Sequence, residues 1–437
     1  MANIDKSQRQ MFDLFDSLRG SVGYYNLFSN AIHLIFLKYL MSFSDRFENL
    51  GIESYKAISA FKRKYDIARN GGEPLEPWDV DELIRTLDSE YVFKDIRLSD
   101  SLRVYDTLFG DRANQRIIFR ILDEIDVEFS EEFLVNFFEV LIQRCSRDVR
   151  ATGESTTSKY LREIAVKILD IQPVDTVLNC FAGFSTFALN MPKDIRYIGY
   201  ELNTDAYVIS KMLLTMLGIR GAEIFNQDFL LSDTRECANK VFSDGPINMR
   251  YDNPTVEWTP WAKGLKTKDG NLLILYKVLD SIRFNGTAVI AVPGKVLFSN
   301  HPSYIELRRR YLVEGLKAVV SLPPLWSGTV INTNLLVVEK GYNGPVEFID
   351  AQNIGTKDRA RNVVLSKDDI DKIYDAYKNQ IEIPGFSRLV KHMEINEKDS
   401  WQPTLFVEPI IERTTKNIED IDAELNSLYE ELKNNLK

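Results

Sequence analysis

Cysteine and histidine are scarce, with three of each in 437 residues. Cys145, Cys180 and Cys237 are odd in number, widely spaced and free of any Cys-x-x-Cys pair, which argues against a disulfide framework or a zinc site. The histidines lie far apart, so a metal centre has little to build on and no metal is expected. Long hydrophobic runs are missing too. The longest, AIHLIFLKYLMSF from Ala31 to Phe43, contains His33 and Lys38 and is too short to span a bilayer. It predicts a core helix, and no membrane partner is expected. The N-terminal MANIDKSQRQ is polar rather than a charged-then-apolar leader, so the expected location is cytoplasmic. Positive charge is in deficit. A net charge of -10 and a pI near 5.2 disfavour a protein that coats nucleic acid generally, so any DNA binding must be local or shared with a partner.

What is present reads as an α/β chain long enough for two or three domains. Residues 1–150 carry apolar residues at helical spacing, in MFDLFDSLRG, NLFSNAIHLIFLKYLMSFSDRFENL and EEFLVNFFEVLIQRCSRDV, and are expected to form a helical domain. Residues 151–356 alternate β-rich and helical runs. DTVLNCF, IRYIGYE, AEIFNQD, INMRYDN, GTAVIAVP, LKAVVSLP and TNLLVVEK predict strands of a doubly wound, mostly parallel, Rossmann-like sheet. The run 332–340 and PVEFIDA follow each other with little helix between, which predicts an antiparallel edge. Residues 357–437 form a C-terminal extension. In it Ile418, Ile421, Leu425, Leu428 and Leu432 recur at steps of three and four, the seam of a coiled-coil-like helix that docks on its own chain or on a partner subunit.

Ligands of such sheets bind beyond the carboxyl ends of the strands. The first strand runs into VLNCFAGFSTFALN, where Asn179 and the lone glycine Gly183 would face a nucleotide-like cofactor. The second ends at Glu201, placed to accept from ribose hydroxyls, the third at Asp228, and the fourth, as read here, at Asn253-Pro254. The amide oxygen of Asn253 and the rigid Pro254 carbonyl are suited to accept the protons of a base's exocyclic amine. Each group alone is an ordinary strand-end or turn residue. Their order is that of an adenosine site beside an amine-recognition site.

At these residues the chain resembles the modification (methyltransferase) subunits of type I restriction-modification systems, S-adenosylmethionine-dependent adenine-N6 DNA methyltransferases. DSLRG (16–20) and LIFLKYLMSFSDRFE (34–48) resemble that family's helical domain, and RATGESTTSKYLREIAVKIL (150–169) its Gly-Glu-Phe-Tyr-Thr-Pro segment and following helix. The most specific likeness lies in AVIAVPGKVLF (288–298), IELRRRYLVEGLKAVVSLPPLWSGTVINTNLLVVEK (305–340) and VEFIDAQN (346–353). The resemblance implies S-adenosylmethionine as cofactor, with Glu201 on its ribose, Asp228 on its adenine amine, and Asn179 and Gly183 in the cofactor loop. It implies Asn253 and Pro254 as the catalytic pair. The implied partners are DNA, a specificity subunit that reads the target, and a second methyltransferase-like subunit or a nuclease subunit.

Departures fall where the chemistry should be. The family's cofactor loop reads Asp-Pro-x-Cys-Gly-x-Gly-Gly-Phe; here Asn179 to Phe187 keep only Gly183 and the final Phe, and Ser185 and Thr186 replace two glycines. Of the Gly-Glu-Phe-Tyr-Thr-Pro segment, Gly153, Glu154 and Thr157 match, while Ser155, Thr156 and Ser158 replace the aromatics and proline. The catalytic Asn-Pro-Pro-Phe or Asn-Pro-Pro-Tyr becomes Asn253-Pro254-Thr255-Val256, leaving Trp258 or Tyr251 to stack on a flipped base, a contact of roughly 1–3 kcal/mol. Two readings follow: a subunit weakened or silent in methyl transfer that acts in DNA binding or complex assembly, and an active adenine-N6 methyltransferase. A small-molecule or RNA methyltransferase ranks behind both, because it does not explain the helical domain and the tail. The basic clusters Lys62-Arg63-Lys64 and Arg308-Arg309-Arg310 are either phosphate contacts or solvated helix faces.

Overall fold

The apolar run near the N-terminus folds as the helix α1 (Asn26–Phe43), in which Ile32, Leu34, Ile35 and Phe36 are fully buried. A helix apolar on all sides belongs inside a protein, and α2 (Ile52–Arg69), α3 (Pro77–Ser89), α4 (Leu102–Phe109), α5 (Arg112–Glu124) and α6 (Glu131–Cys145) surround it. Among the described residues no helix is long and apolar enough to cross a membrane. The computed structural model describes residues 26–43, 52–89, 102–124, 131–145, 157–219, 221–325, 332–359, 362–408, 422, 425–429 and 433. The predicted helix MFDLFDSLRG, Gly153 and Glu154, and Ile418, Ile421 and Leu432 of the tail lie outside these; within them Leu425 and Leu428 sit on a helical stretch and are exposed.

The α/β part is a nine-stranded sheet. Its strands are β1 (Thr176–Asn179), β2 (Arg196–Tyr200), β3 (Gly221–Phe225), β4 (Ala238–Ser243), β5 (Ile282–Val292), β6 (Leu316–Ser321), β7 (Asn334–Glu339), β8 (Val346–Asp350) and, after the small hairpin β9 (Thr356–Lys357) and β10 (Val363–Val364), β11 (Ser387–Val390). The order is β11-β8-β6-β7-β5-β4-β1-β2-β3, with β5, β4, β1, β2 and β3 mutually parallel. Alternate residues feed opposite layers. Val177 packs with α7 (Lys159–Leu169), α8 (Thr204–Met216), α12 (Lys367–Asn379) and the helical domain, while Leu178 packs with α9 (Gly270–Ser281), α10 (Gly294–Phe298) and α11 (Pro302–Glu314). Trp401 and Phe406, beyond α13 (His392–Lys398), close that second layer. Helix α1 also rests on α8, where the Tyr39 hydroxyl reaches the Thr215 carbonyl at 3.4 Å.

Two expectations from the sequence are corrected. The fourth strand is ANKVFS, not INMRYDN. Ile247, Met249 and Tyr251 do alternate like a strand, but Asn248 between them has φ 58, which an extended chain cannot accommodate, and the stretch is a loop. The true strand was hidden by Asn239 and Lys240 at its start. The antiparallel element is not an edge either. Strand β7 is antiparallel to both its neighbours, β5 and β6, in the sheet interior, β8 pairs parallel to β6, and the antiparallel edge is β11, drawn from beyond residue 356.

Glu347 of β8 is fully buried between Ala318 of β6 and Leu389 of β11, and neither carboxylate oxygen has a hydrogen-bond partner among the described residues. Burial, aided by the charge of Glu382, pushes its pKa up to about 8. A carboxyl that keeps its proton in the fold and loses it in the unfolded chain stabilises at low pH; that stability is lost as pH rises from its ordinary range near 4.5 through about 8. The expected slope approaches about 1.4 kcal/mol per pH unit inside the window. Urea unfolding at about pH 6 and about pH 9 should show Glu347→Gln removing much of the wild-type loss; equal losses in both proteins would show that Glu347 ionises freely.

Candidate functional site

The carboxyl ends of β1 and β4 are adjacent, and the chain progresses outward from them in opposite directions, to β2 and β3 on one side and β5 on the other. This is the switch point at which a doubly wound sheet opens a crevice. The loop after β1 is tied into it by two main-chain bonds, Cys180 N–H to the Phe242 carbonyl at 3.0 Å and Ala182 N–H to the Tyr200 carbonyl at 2.7 Å. Gly183 (φ 53) and Ser185 (φ 55) both adopt the left-handed conformation, natural for the first and strained for the second. Ser185 is held there by its hydroxyl. It hydrogen bonds with Ser210 of α8 and accepts from the Tyr197 hydroxyl at 3.1 Å, and Tyr197 in turn accepts from Asn179 Nδ2 at 2.9 Å. Asn179 is therefore turned into the core at 1% exposure, its Oδ1 without a partner among the described residues.

Glu201 follows β2 at once and closes back on the loop. Its Oε2 accepts from Gly183 N–H at 2.8 Å and its Oε1 from Asn203 N–H at 2.7 Å. Burial raises its pKa, and these amides partly offset the shift. Asp228, after β3, caps the 3-10 turn Phe229–Leu231 through Leu230 N–H at 2.9 Å and accepts from the Tyr251 hydroxyl at 2.6 Å. The pKa of that hydroxyl is pushed up by burial and by Asp228, and the Asn253 side chain beside it works against the shift.

Asn253 does not stand at a strand end. It is exposed, in a loop whose base is pinned by Tyr251 N–H to the Lys268 carbonyl and Gly270 N–H to the Met249 carbonyl, at 2.9 and 2.8 Å. Its Oδ1 accepts from Thr255 N–H at 3.0 Å, capping the turn Pro254–Trp258. Trp258 is 81% exposed. The fold thus hydrogen bonds Tyr251 to Asp228 with Asn253 beside them, joins Gly183 to Glu201, and turns Asn179 away from both.

The end of β4 is occupied instead by Asp244-Gly245-Pro246, a turn signal that the misread strand obscured. Burial pushes the Asp244 carboxyl up to about 7, against the nearby hydroxyl of Thr157 and the charge of Arg162. Arg162, on α7, is wholly buried. It donates to the Thr157 carbonyl at 2.8 Å and pairs with Glu139 of α6. Gly245 lies under Phe181: a Cβ placed on it would stand 2.6 Å from that ring, which also meets Phe229 edge-on at 5.5 Å. Of the basic clusters, Arg308 is structural, 2% exposed and donating to the carbonyls of Val296, Ser299 and Asp399, while Lys64 pairs with Asp79 at 2.5 Å.

Residues 130–410 match the N-6 DNA methylase family. A type I restriction enzyme methylase subunit, MpnII, from Mycoplasma pneumoniae is 24% identical over 352 residues, which are 70% of this chain and 63% of that protein. The MjaVIII methylase subunit of Methanocaldococcus jannaschii is 23% identical over 362 residues, 74% and 62% of the two chains. The chain thus spans under two thirds of the length of these relatives. Among solved structures, the type I restriction-modification methyltransferase subunit of Streptococcus thermophilus superposes with a TM-score of 0.75 at 21% identity, covering 91% of this chain and 98% of that one. A chain from a study of complex assembly in the type I restriction-modification system gives 0.67 at 15% identity, over 99% of each.

Because Phe181 lies on Gly245, Gly245→Ala should overpack the crevice and cost about 1–3 kcal/mol. In a Phe181→Ala background the same change should cost almost nothing. A double-mutant cycle by urea unfolding checks this; strictly additive costs would mean that the ring does not rest on Gly245.

Proposed function

From the fact that this chain belongs to the N-6 DNA methylase family, we propose that it is a type I restriction-modification-type subunit that retains the adenine-N6 methyltransferase fold but is silent in methyl transfer, serving DNA binding or complex assembly. The observation that carries this reading is Phe181 seated on Gly245. The two residues follow β1 and β4, so their contact bridges the switch-point crevice where a cofactor would lie. The rest of the loop fits S-adenosylmethionine poorly in the same sense. Ser185 and Thr186 are buried where bare glycine backbone would allow close approach, and Asn179 faces inward. The partners proposed are DNA, a specificity subunit that reads the target, and a second methyltransferase-like or nuclease subunit.

A second reading rests on the hydrogen bond from the Tyr251 hydroxyl to Asp228, with the Asn253 side chain beside that hydroxyl. If the loop presents Asn253 and the Pro254 carbonyl to an extruded adenine, they accept its amine protons while exposed Trp258 stacks on the ring. This reading asks Asn253 to release Thr255 N–H, or to use the remaining lone pair of its Oδ1.

Calorimetric titration with S-adenosylmethionine separates the two. The silent subunit should show no binding at millimolar cofactor, alone or with its specificity subunit. Micromolar binding that Glu201→Ala abolishes would overturn the proposal and restore the active enzyme.

A further inference from the structure

Away from the strand-end site, a cleft of about 600 Å³ opens between α7, the hairpin β9–β10 and the first turn of α12. Its walls carry Lys159, Tyr160, Glu163, Lys167, Asn190 and Lys367. In a chain with a net charge of -10, three lysines around one cleft run against the general composition. Their carboxylate partners answer them unevenly. Asp371 holds Lys167 at 2.5 Å, but Glu163 stands 3.8 Å from Lys159 and burial pushes its carboxyl up, towards the neutral form. Lys367 has no ion pair within 4 Å among the described residues. The hairpin adds exposed Lys357 and Arg359, while Asp358 between them accepts from Asn362 N–H at 2.8 Å and so belongs to the turn.

The cleft also leads to the strand ends. Lys159 comes two residues after Thr157, whose N–H donates to the Thr186 hydroxyl at 3.3 Å just after the loop that follows β1, and Tyr160 of α7 and Leu365 at the hairpin's exit line the cleft together. From Lys159 to Lys167 the helix rises about 12 Å, over which one strand of a duplex presents three or four phosphates at roughly 3.4 Å each. We propose that this cleft and the hairpin beside it form a phosphate-binding track, receiving the backbone of a DNA strand that passes the carboxyl ends of β1 and β4. The proposal rests on the reading of the chain as a DNA-binding subunit. It assigns that binding to Lys159, Lys367, Lys357 and Arg359. Ammonium groups on flexible stems suit phosphates as point charges and carry no base readout, so the track serves every sequence equally.

The test is fluorescence anisotropy of the full-length chain, with its specificity subunit where one is available, on duplexes of several sequences between about 50 and 200 mM salt. Lys159→Gln with Lys367→Gln should lower the salt slope by about 1.8, since each lost phosphate contact removes about 0.9. For every duplex the deficit of this variant relative to the wild type should be roughly tenfold larger at about 50 than at about 200 mM salt, which is the salt term of two contacts over that range. Lys357→Gln with Arg359→Gln should do the same, and Lys56→Gln on α2 should change neither quantity. Unaltered thermal melting verifies that the variants fold. If the wild type binds DNA and the cleft variants bind it equally well, the track is wrong although the DNA-binding reading stands, and the cleft is left to an acidic protein segment. If the wild type binds no DNA even at low salt with its partner, the reading fails and the track falls with it.

Discussion

A buried guanidinium must be given acceptors, and Arg162 takes them from three separate parts of the chain. Its side chain is wholly excluded from solvent; it pairs with Glu139 of α6, donates to the Thr157 carbonyl ahead of α7, and reaches the Asn190 side chain at 3.5 Å, beyond the loop that follows β1. Removing one partner of such a pair costs about 3–5 kcal/mol, because a charge is then left buried without compensation. The helical domain, the segment before the sheet and the loop after β1 are consequently held in one arrangement. Thr157 and Arg162 both act on the Asp244 carboxyl, so the end of β4 faces the same buried cluster.

Around that anchor the strand ends are organised to satisfy one another. In a crevice meant for a nucleotide-like ligand, backbone amides and acidic side chains would face outward. Here Glu201 accepts from the loop amide of Gly183, the hydroxyls of Ser185, Tyr197 and Ser210 form a chain ending on Asn179, and Phe181 lies on Gly245. The side chains of Ser185 and Thr186 are accommodated inward, in a loop whose first residues are tied to β4 and β2. The left-handed backbone at Ser185 is the visible cost of that accommodation.

Much of the sheet was legible because its strands obey a simple period. VLN, YIGY, AVIAV, AVVS and LLVV are short apolar runs bounded by turn residues, and each is a strand in the fold. The fourth strand was misread because two signals competed. Ile247, Met249 and Tyr251 alternate, and the last two do pack against the core, yet the backbone turns at Asn248; ANKVFS, with Asn239 and Lys240 half-buried, carries less hydrophobic signal than the loop that follows. That single error moved the expected end of β4 from Asp244 to Asn253. The pairings of β7 with both neighbours, and of β11 with β8, join segments distant in sequence and leave no local trace.

The sequence by itself determined the class of the protein: an apolar helix too short for a membrane, an α/β succession of strands and helices, and a family likeness whose cofactor loop and catalytic segment depart from the pattern. These are properties of composition, period and local motif, which act along the chain. Only the tertiary structure decided which side chains meet: that Phe181 covers Gly245, that Asn179 points inward, that Asp244 rather than Asn253 stands at the end of β4, and that lysines from α7 and α12 share one cleft. The reason is that burial and hydrogen-bond satisfaction are settled between residues far apart in sequence, and a buried polar group takes whatever partner the packing brings to it.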